Sequence, residues 1–199
     1  KNSYNTVINM STMIIQTETT PNPNALKFLP NLEVRGNKGP LFYKKDPQGN
    51  PEADAPVAYA LFKIDGIQDV FFGSDFITVG KDDTVEWKTI ETDVIETIRY
   101  HSEGPFVIEE TKPACEKIND DAGTDKITKK IVQLLDDRVR PAVAMDGGDI
   151  IFHSFEKGTV YLEMYGACSG CPSSTATLKM GIENMLRHYI PEVHTVEAV

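Results

Sequence analysis

The chain has 199 residues, of which 40% are hydrophobic and 25% charged, a composition typical of a soluble globular protein with one large or two small domains. No apolar run approaches the roughly 20 residues that a membrane-spanning helix needs, so we expect no membrane partner. The net charge of −10 lies almost entirely in residues 1–125, which disfavours nucleic acid as a partner.

The first residues, 1–12, contain no continuous apolar segment and therefore do not resemble a secretory signal. They also contain no arginine, which makes them a poor mitochondrial transit peptide, and we interpret them as a tag remnant or an upstream extension. On this basis we expect a bacterial cytoplasmic protein, with the mitochondrial matrix as the alternative.

Residues 13–110 are predicted to form an α/β unit with the order β-β-α-β-β-α. Two short strand-like runs, at 13–20 and 25–30, are separated by the turn-forming sequence PNPN. Residues 31–53 are rich in Gly, Pro, Asn and charge, so we predict a loop with at most a short extended piece at LFYKK.

Local signals also place two helices and a hairpin in this unit. Asp54 and Pro56 indicate the start of a short helix, because Asp caps helices and Pro fits the first turn. A hairpin is predicted to turn at residues 73–75. Asp83 and Glu86 have the spacing of a capping box, which predicts a second helix. The apolar residues of that helix fall on one face: Trp87, Ile90, Val94 and Ile98.

Residues 111–125 contain few large apolar side chains and much charge, Pro and Gly, so we interpret them as an interdomain linker. The second domain, residues 126–199, is predicted to have the order α-β-β-α-β. Its first helix is predicted to end at Pro141 and Gly147-Gly148. The expected fold class is therefore α/β (α+β), with two small domains.

The second domain is also predicted to contain a hairpin that turns at residues 156–158. The second hairpin strand alternates apolar and polar residues, the pattern of a half-buried strand. A second helix is predicted from about Pro172 to Tyr189, and a closing strand follows it.

Cys168 and Cys171 form a C-x-x-C between the second hairpin strand and the second helix. Small residues around them let the loop curl tightly: Gly166, Ala167, Ser169 and Gly170. The positive end of a helix favours thiolate over thiol and lowers a cysteine pKa. Thiolate is the form that ligates metals and acts as a nucleophile, so we expect reactive sulfur at this site.

Three kinds of site use such a pair. A thioredoxin-like dithiol normally lies near the front of its domain, whereas this pair comes late in the chain. A zinc site needs four ligands, and His153, His188 and His194 lack ligand spacing. An iron–sulfur cluster is normally held by about four thiolates, which two chains related by a two-fold axis would supply.

Two segments carry a resemblance to a known family. Residues 145–193 contain a Gly-Gly-Asp turn, G-x-C-x-x-C-P-x-S and a helix with K-x-G-I-E, and they resemble the C-terminal domain of the NifU family. This domain is that of the Nfu-type iron–sulfur scaffold and carrier proteins. Residues 16–30, QTETTPNPNALKFLP, are similar to the opening of the N-terminal domain in mitochondrial-type Nfu proteins.

The resemblance implies that Cys168 and Cys171 of two protomers bind an iron–sulfur cluster and pass it to apo-proteins. A 4Fe–4S cluster is favoured over a 2Fe–2S cluster. Gly166 and Pro172 are implied to shape the ligand loop, and residues 146–149 to form a structural turn. The implied partners are a second copy of the chain when the cluster is bound, upstream assembly proteins and apo iron–sulfur client proteins.

We therefore expect a carrier and not an enzyme. The alternatives are a thiol–disulfide oxidoreductase that uses Cys168 and Cys171, and a zinc-bridged structural dimer. Cys115, in the predicted linker, is interpreted as incidental. The sequence TPNPN at residues 20–24 contains no nucleophile–base pair, so we interpret it as a structural turn or a partner surface. The first domain is interpreted as a regulatory or partner-docking module.

Overall fold

The computed structural model describes residues 13–45, 55–104, 106, 124–169 and 172–199. They form an N-terminal unit (13–106) and a C-terminal unit (124–199), each a mixture of helices and strands, which confirms the predicted α+β class. Some predictions lie outside the described residues, among them the interpretation of residues 1–12, the helix cap at Asp54, most of the linker and the ligand Cys171.

The N-terminal unit contains a five-stranded antiparallel sheet in the order β1-β2-β5-β4-β3. The strands are β1 Gln16–Thr19, β2 Ala25–Leu29, β3 Leu41–Lys44, β4 Ile67–Phe72 and β5 Ile77–Lys81. The predicted hairpin between β4 and β5 is confirmed. The extended piece at LFYKK is a strand that pairs with β4 at the sheet edge, so the unit has one strand more than the predicted order.

Two helices, α1 Pro56–Leu61 and α2 Trp87–Tyr100, cover one face of this sheet. Ile90, Val94 and Ile98 of α2 are buried, as the periodicity predicts. The capping box was wrong, because Glu86 occupies the N-cap position and makes no side-chain cap hydrogen bond. Asp82 instead closes the preceding turn, where its carboxylate accepts the backbone N–H of Thr84 at 2.9 Å.

The C-terminal unit contains a three-stranded sheet in the order β6-β7-β8. Strands β6 Gly148–Glu156 and β7 Thr159–Gly166 form an antiparallel hairpin, and β8 Thr195–Ala198 pairs with β7 in parallel. The predicted hairpin turn is confirmed: Lys157 and Gly158 have φ of 50° and 84°. Two consecutive positive φ angles match the twist of a two-residue hairpin.

The helices of the C-terminal unit are α3 Thr124–Leu134, α4 Arg140–Met145 and α5 Pro172–Tyr189, and α5 has the predicted bounds. The helix was predicted to end at Pro141 and Gly147-Gly148. It does end before the two glycines, at Met145, but it does not end at Pro141, because a π-helical turn at Leu135–Val139 joins α3 to α4. Proline lacks an N–H and its ring crowds the carbonyl four residues back, and a widened turn accommodates both effects. Among the described residues, no helix is long and apolar enough to cross a bilayer.

Each unit has its own hydrophobic core. The core of the N-terminal unit joins alternate strand residues such as Phe28 and Val79 to α1 and α2. The core of the C-terminal unit packs α3 to α5 on the β6–β8 sheet, with Ile131, Leu162 and Leu186 fully buried. The two cores share no residue, so neither depends on the other for its apolar burial.

A half-buried carboxyl lies on the sheet face opposite the helices. Asp69 of β4 stands beside Gly80 of β5, where a Cβ would lie 2.4 Å from its Oδ1. Burial raises the pKa of Asp69 to about 6, and the nearby Lys44 ammonium offsets part of that rise. The folded protein therefore binds this proton more tightly than the unfolded chain does.

The wild-type protein should become less stable as the pH rises from about 4 to about 6, and we predict that Asp69→Asn abolishes this pH dependence. In that window the folded state holds the proton and the unfolded state releases it. The variant should match wild type near pH 4 and exceed its free energy of unfolding by roughly 2 kcal/mol at pH 7.5. Urea unfolding at both pH values measures this.

The matched control is Asp93→Asn on the exposed surface of α2. It should leave the pH dependence of unfolding unchanged. If the free energy of unfolding of Asp69→Asn had the same pH dependence as that of wild type, the ionised Asp69 carboxylate would not destabilise the folded protein.

Candidate functional site

Cys168 lies in a tight turn directly after β7. Its backbone N–H donates to the carbonyl of Tyr165 at 3.3 Å, and the N–H of Ser169 donates to the carbonyl of Gly166 at 3.0 Å. The hydroxyl of Thr175, in the first turn of α5, donates to the Cys168 carbonyl at 3.2 Å. The loop is thus tied to the strand before it and to the helix after it.

Cys171, the second predicted ligand, lies outside the described residues, as does Cys115. Of the two predicted ligands, the structure describes Cys168 and its surroundings. Gly166 and the turn at residues 146–149 are both next to it.

The Gly147-Gly148 turn forms the surface on which Cys168 packs. A Cβ on Gly148 would lie 2.5 Å from the Cys168 sulfur and 2.7 Å from the carbonyl oxygen of Tyr165. Gly147 and Gly166 have φ of 83° and 60°, values that glycine adopts without strain. A Cβ on Gly166 would lie 2.6 Å from the carbonyl oxygen of Gly147. The predicted turn therefore has a specific role, which is to let the sulfur approach its backbone.

An ion pair holds the far side of this turn. Asp149 is buried, and its two carboxylate oxygens accept hydrogen bonds from Nε and Nη2 of Arg140 at 2.9 and 2.8 Å. Oδ1 also accepts the N–H of Ile150 at 2.8 Å. These hydrogen bonds raise the pKa of Arg140 above its ordinary value. Asp149 is thus fully engaged in structure, as expected of a turn rather than a divalent-metal ligand.

The described part of the chain contains no group of three or more His, Cys, Asp and Glu side chains placed to hold a metal ion. His153, His188 and His194 therefore do not complete a site around Cys168.

The predicted lowering of the cysteine pKa was wrong for Cys168. The side chain is 7% exposed, and its burial raises the pKa of the thiol to about 12, with smaller contributions from the carboxylates of Asp146 and Asp149. Helix α5 begins only at Pro172, so its positive end does not offset the burial. In this conformation Cys168 is a protonated thiol.

A cavity of about 470 Å³ opens beside the sulfur. Its lining is mostly apolar and comprises Pro21, Val143, Asp146, Ala167, Cys168, Thr177 and Leu178. One of these residues, Pro21, belongs to the TPNPN sequence of the N-terminal unit. The cavity therefore lies where the two units meet.

Three side chains of the N-terminal unit donate hydrogen bonds to backbone carbonyls around the ligand loop. They are Asn22 to Ser169 at 2.8 Å, Lys27 to Met145 at 3.1 Å, and Thr78 to Gly147 at 2.7 Å. The interpretation of TPNPN as a turn or partner surface covers one of them, Asn22, and sequence reasoning missed the other two. A lysine and a threonine within strands are ordinary surface residues in a sequence. Only their burial reveals the contact.

Two family models match the chain. The model described as "NifU-like domain" matches residues 131–197, and "Scaffold protein Nfu/NifU N terminal" matches residues 15–104. These ranges correspond to the C-terminal and N-terminal units. The two models together define a scaffold protein of iron–sulfur cluster assembly.

Curated relatives carry the same description. A Drosophila persimilis protein named "NFU1 iron-sulfur cluster scaffold homolog, mitochondrial" is 45% identical over 195 residues, 96% of this chain and 67% of the relative. The Drosophila virilis protein of the same name is also 45% identical, over 96% of this chain and 63% of its own length. The chain thus spans about two thirds of the length of these relatives.

Among solved structures, the chain resembles the solution structure of a NifU-like protein from Saccharomyces cerevisiae. The TM-score is 0.44 at 29% sequence identity, over 49% of this chain and 86% of that chain. On the family models and the curated relatives, the chain belongs to the Nfu family of iron–sulfur cluster scaffold proteins. The resemblance of residues 145–193 and 16–30 is confirmed.

We predict that Gly148→Ala destabilises the C-terminal unit by roughly 1–3 kcal/mol, the usual cost of overpacking. The new Cβ would collide with the Cys168 sulfur and with the backbone of the loop, and the backbone cannot rotate away. Urea unfolding of the apo-protein measures the change.

Gly181→Ala is the matched control, because Gly181 lies on the exposed side of α5 with no atom within 4 Å of a new Cβ. It should stabilise the protein by about 0.5–1 kcal/mol through helix propensity. Equal stability of Gly148→Ala and wild type would disprove the tight packing.

Proposed function

We propose that this chain binds an iron–sulfur cluster through Cys168 and Cys171 of two copies and transfers it to apo-proteins. The observation that carries the proposal is the incomplete ligand set. Cys168 lies in a formed loop beside an open cavity, yet the described residues offer it no third or fourth ligand. A second copy related by two-fold symmetry would bring the number of thiolates to four, the usual complement of a cluster.

Transfer would proceed by ligand exchange. A cluster iron binds thiolate, so the proton of Cys168 must leave when the cluster arrives, and a client thiolate replaces Cys168 when the cluster departs. The raised pKa of the buried Cys168 thiol favours the return of its proton. A ligand that regains its proton easily suits a carrier, which must release its cargo.

Family membership supports the choice of cargo and partners. Relatives named as iron–sulfur scaffolds imply apo iron–sulfur client proteins as recipients. We further propose upstream assembly proteins as the donors. We propose a 4Fe–4S cluster, with 2Fe–2S as the second candidate. Because the relatives are named mitochondrial, we propose the mitochondrial matrix as the location, in place of the bacterial cytoplasm expected from residues 1–12.

The two alternatives have less support. A thiol–disulfide oxidoreductase needs a cysteine with a lowered pKa, whereas burial raises that of Cys168 to about 12. A zinc-bridged dimer would use the same thiols, but the relatives are named for iron–sulfur clusters. We propose no enzymatic activity.

We predict that anaerobic reconstitution with iron and sulfide gives a brown protein that absorbs near ~400 nm and contains about two irons per chain. The cluster-bound protein should have the mass of a dimer. A 2Fe–2S cluster shared in the same way would give about one iron per chain. Iron analysis and native mass measurement distinguish the two.

Cys168→Ala and Cys171→Ala should each abolish the colour, because one sulfur per chain cannot hold the cluster. Cys115→Ala, outside the C-x-x-C, is the matched control and should load normally. A colourless wild-type protein with stoichiometric zinc, or a cluster that survives without Cys168 and Cys171, would rule out the proposal.

A further inference from the structure

The sheet face opposite α1 and α2 carries a row of buried residues that does not belong to either core. Lys27 of β2, Thr78 of β5 and Phe71 of β4 stand directly opposite one another, and Phe42 of β3 continues the row. Lys27, Thr78 and Phe71 are 8%, 0% and 2% exposed. A buried ammonium and hydroxyl require hydrogen-bond partners. Lys27 forms an ion pair with Glu18 of β1 at 3.2 Å, and the further partners of Lys27 and Thr78 lie on another surface.

That surface is the turn on which Cys168 packs. Thr78 donates to the carbonyl of Gly147, and Lys27 donates to the carbonyl of Met145. At the other end of the row, a Cβ on Gly166 would lie 3.0 Å from the ring of Phe71. The ring of Phe42 lies 5.1 Å from that of Tyr165. The whole row thus covers the base of the ligand loop.

The TPNPN turn, residues 20–24, reaches the loop itself. Asn22 is 6% exposed and donates its side-chain amide to the carbonyl of Ser169, the residue after Cys168. Its Oδ1 accepts the N–H of Asn24 at 3.0 Å, and the hydroxyl of Thr20 accepts the N–H of Asn22 at 3.2 Å. These bonds fix the side chain with its amide directed at the loop. Pro21 lines the cavity beside the sulfur.

We propose that the row and the TPNPN turn together form an autoinhibitory cap, which holds the apo chain closed over the Cys168 loop and must leave before a second copy can share a cluster. The inference rests on the proposed function, because a shared cluster requires the sulfurs of two chains to face each other. In the closed chain Pro21 of the N-terminal unit forms part of the wall of the cavity beside the sulfur.

The composition of the contact supports a reversible cap. The two hydrophobic cores share no residue, so the units can separate without dividing a core, and separation uncovers Phe71 and the Cys168 loop. The contact combines aromatic packing by Phe42 and Phe71 with hydrogen bonds from three polar side chains, which water can satisfy after release: Asn22, Lys27 and Thr78. Polar contacts of this kind are typical of interfaces that open.

Two substitutions in the full-length chain test the cap. Thr78→Glu places a carboxylate against the Gly147 carbonyl, and Asn22→Asp replaces the amide donor by a carboxylate while it keeps the acceptor for Asn24. The control is Thr92→Glu, which adds the same charge on the exposed surface of α2. Asn22→Asp lies outside the strands, so it remains informative if Thr78→Glu fails to fold.

The readout is the accessibility of Cys168 in a background that carries Cys115→Ala and Cys171→Ala. We expect maleimide to label Cys168 about 10-fold faster in Thr78→Glu and several-fold faster in Asn22→Asp, because each loses hydrogen bonds and gains repulsion. Thr92→Glu should match the parent chain. Small-angle scattering should give a larger radius of gyration for the two cap variants.

Cluster loading in chains that keep all three cysteines completes the test. The cap variants should load faster than wild type, and Thr92→Glu should load at the wild-type rate. Equal labelling and equal radius in all variants, or a cap variant that opens but loads no faster, would overturn the cap. If Cys168 becomes accessible in the cap variants but neither they nor wild type take up a cluster, the contact between the two units is supported and the proposed function is refuted.

Discussion

The close approach of two glycine segments is the constraint on which the site depends. Gly148 in β6 and Gly166 in β7 are paired at the end of the hairpin, and neither position has room for a Cβ. Their approach lets the chain reverse after β7 and brings Cys168 onto the Gly147-Gly148 turn. The buried ion pair of Asp149 fixes the next residue of that turn. The hairpin, more than helix α5, therefore sets the position of the sulfur.

The N-terminal sheet serves two purposes with its two faces. One face is apolar and packs on α1 and α2 to form a core. The other presents Lys27, Thr78 and Phe71 to the C-terminal unit, where they meet backbone carbonyls and a glycine. Because backbone carbonyls accept hydrogen bonds whatever their side chains, the contact depends on the shape of the Gly147-Gly148 turn. The same glycines thus serve the sulfur and the contact between units.

Local patterns predicted most of the fold. The Lys157-Gly158 hairpin and the bounds of α5 follow from turn residues and helix periodicity, which act within a few positions of the chain. The failures arose where distant packing decides. Strand β3 is a short edge strand that exists through its pairing with β4, more than 20 residues further along the chain. Pro141 does not end its helix, because a widened turn accommodates the proline, and Val139 and Val143 on either side of it pack into the core of the C-terminal unit.

By itself, the sequence determined the family and the candidate ligands, since the C-x-x-C and its flanking glycines are contiguous in the chain. Tertiary structure alone decided the chemical state of Cys168. Its thiol stays protonated because residues far apart in sequence bury it near Asp146 and Asp149. Likewise, the contacts of Asn22 with Ser169 and of Thr78 with Gly147 join residues 147 and 69 positions apart. The burial of these particular groups depends on residues that only the fold brings together, and no local pattern encodes it.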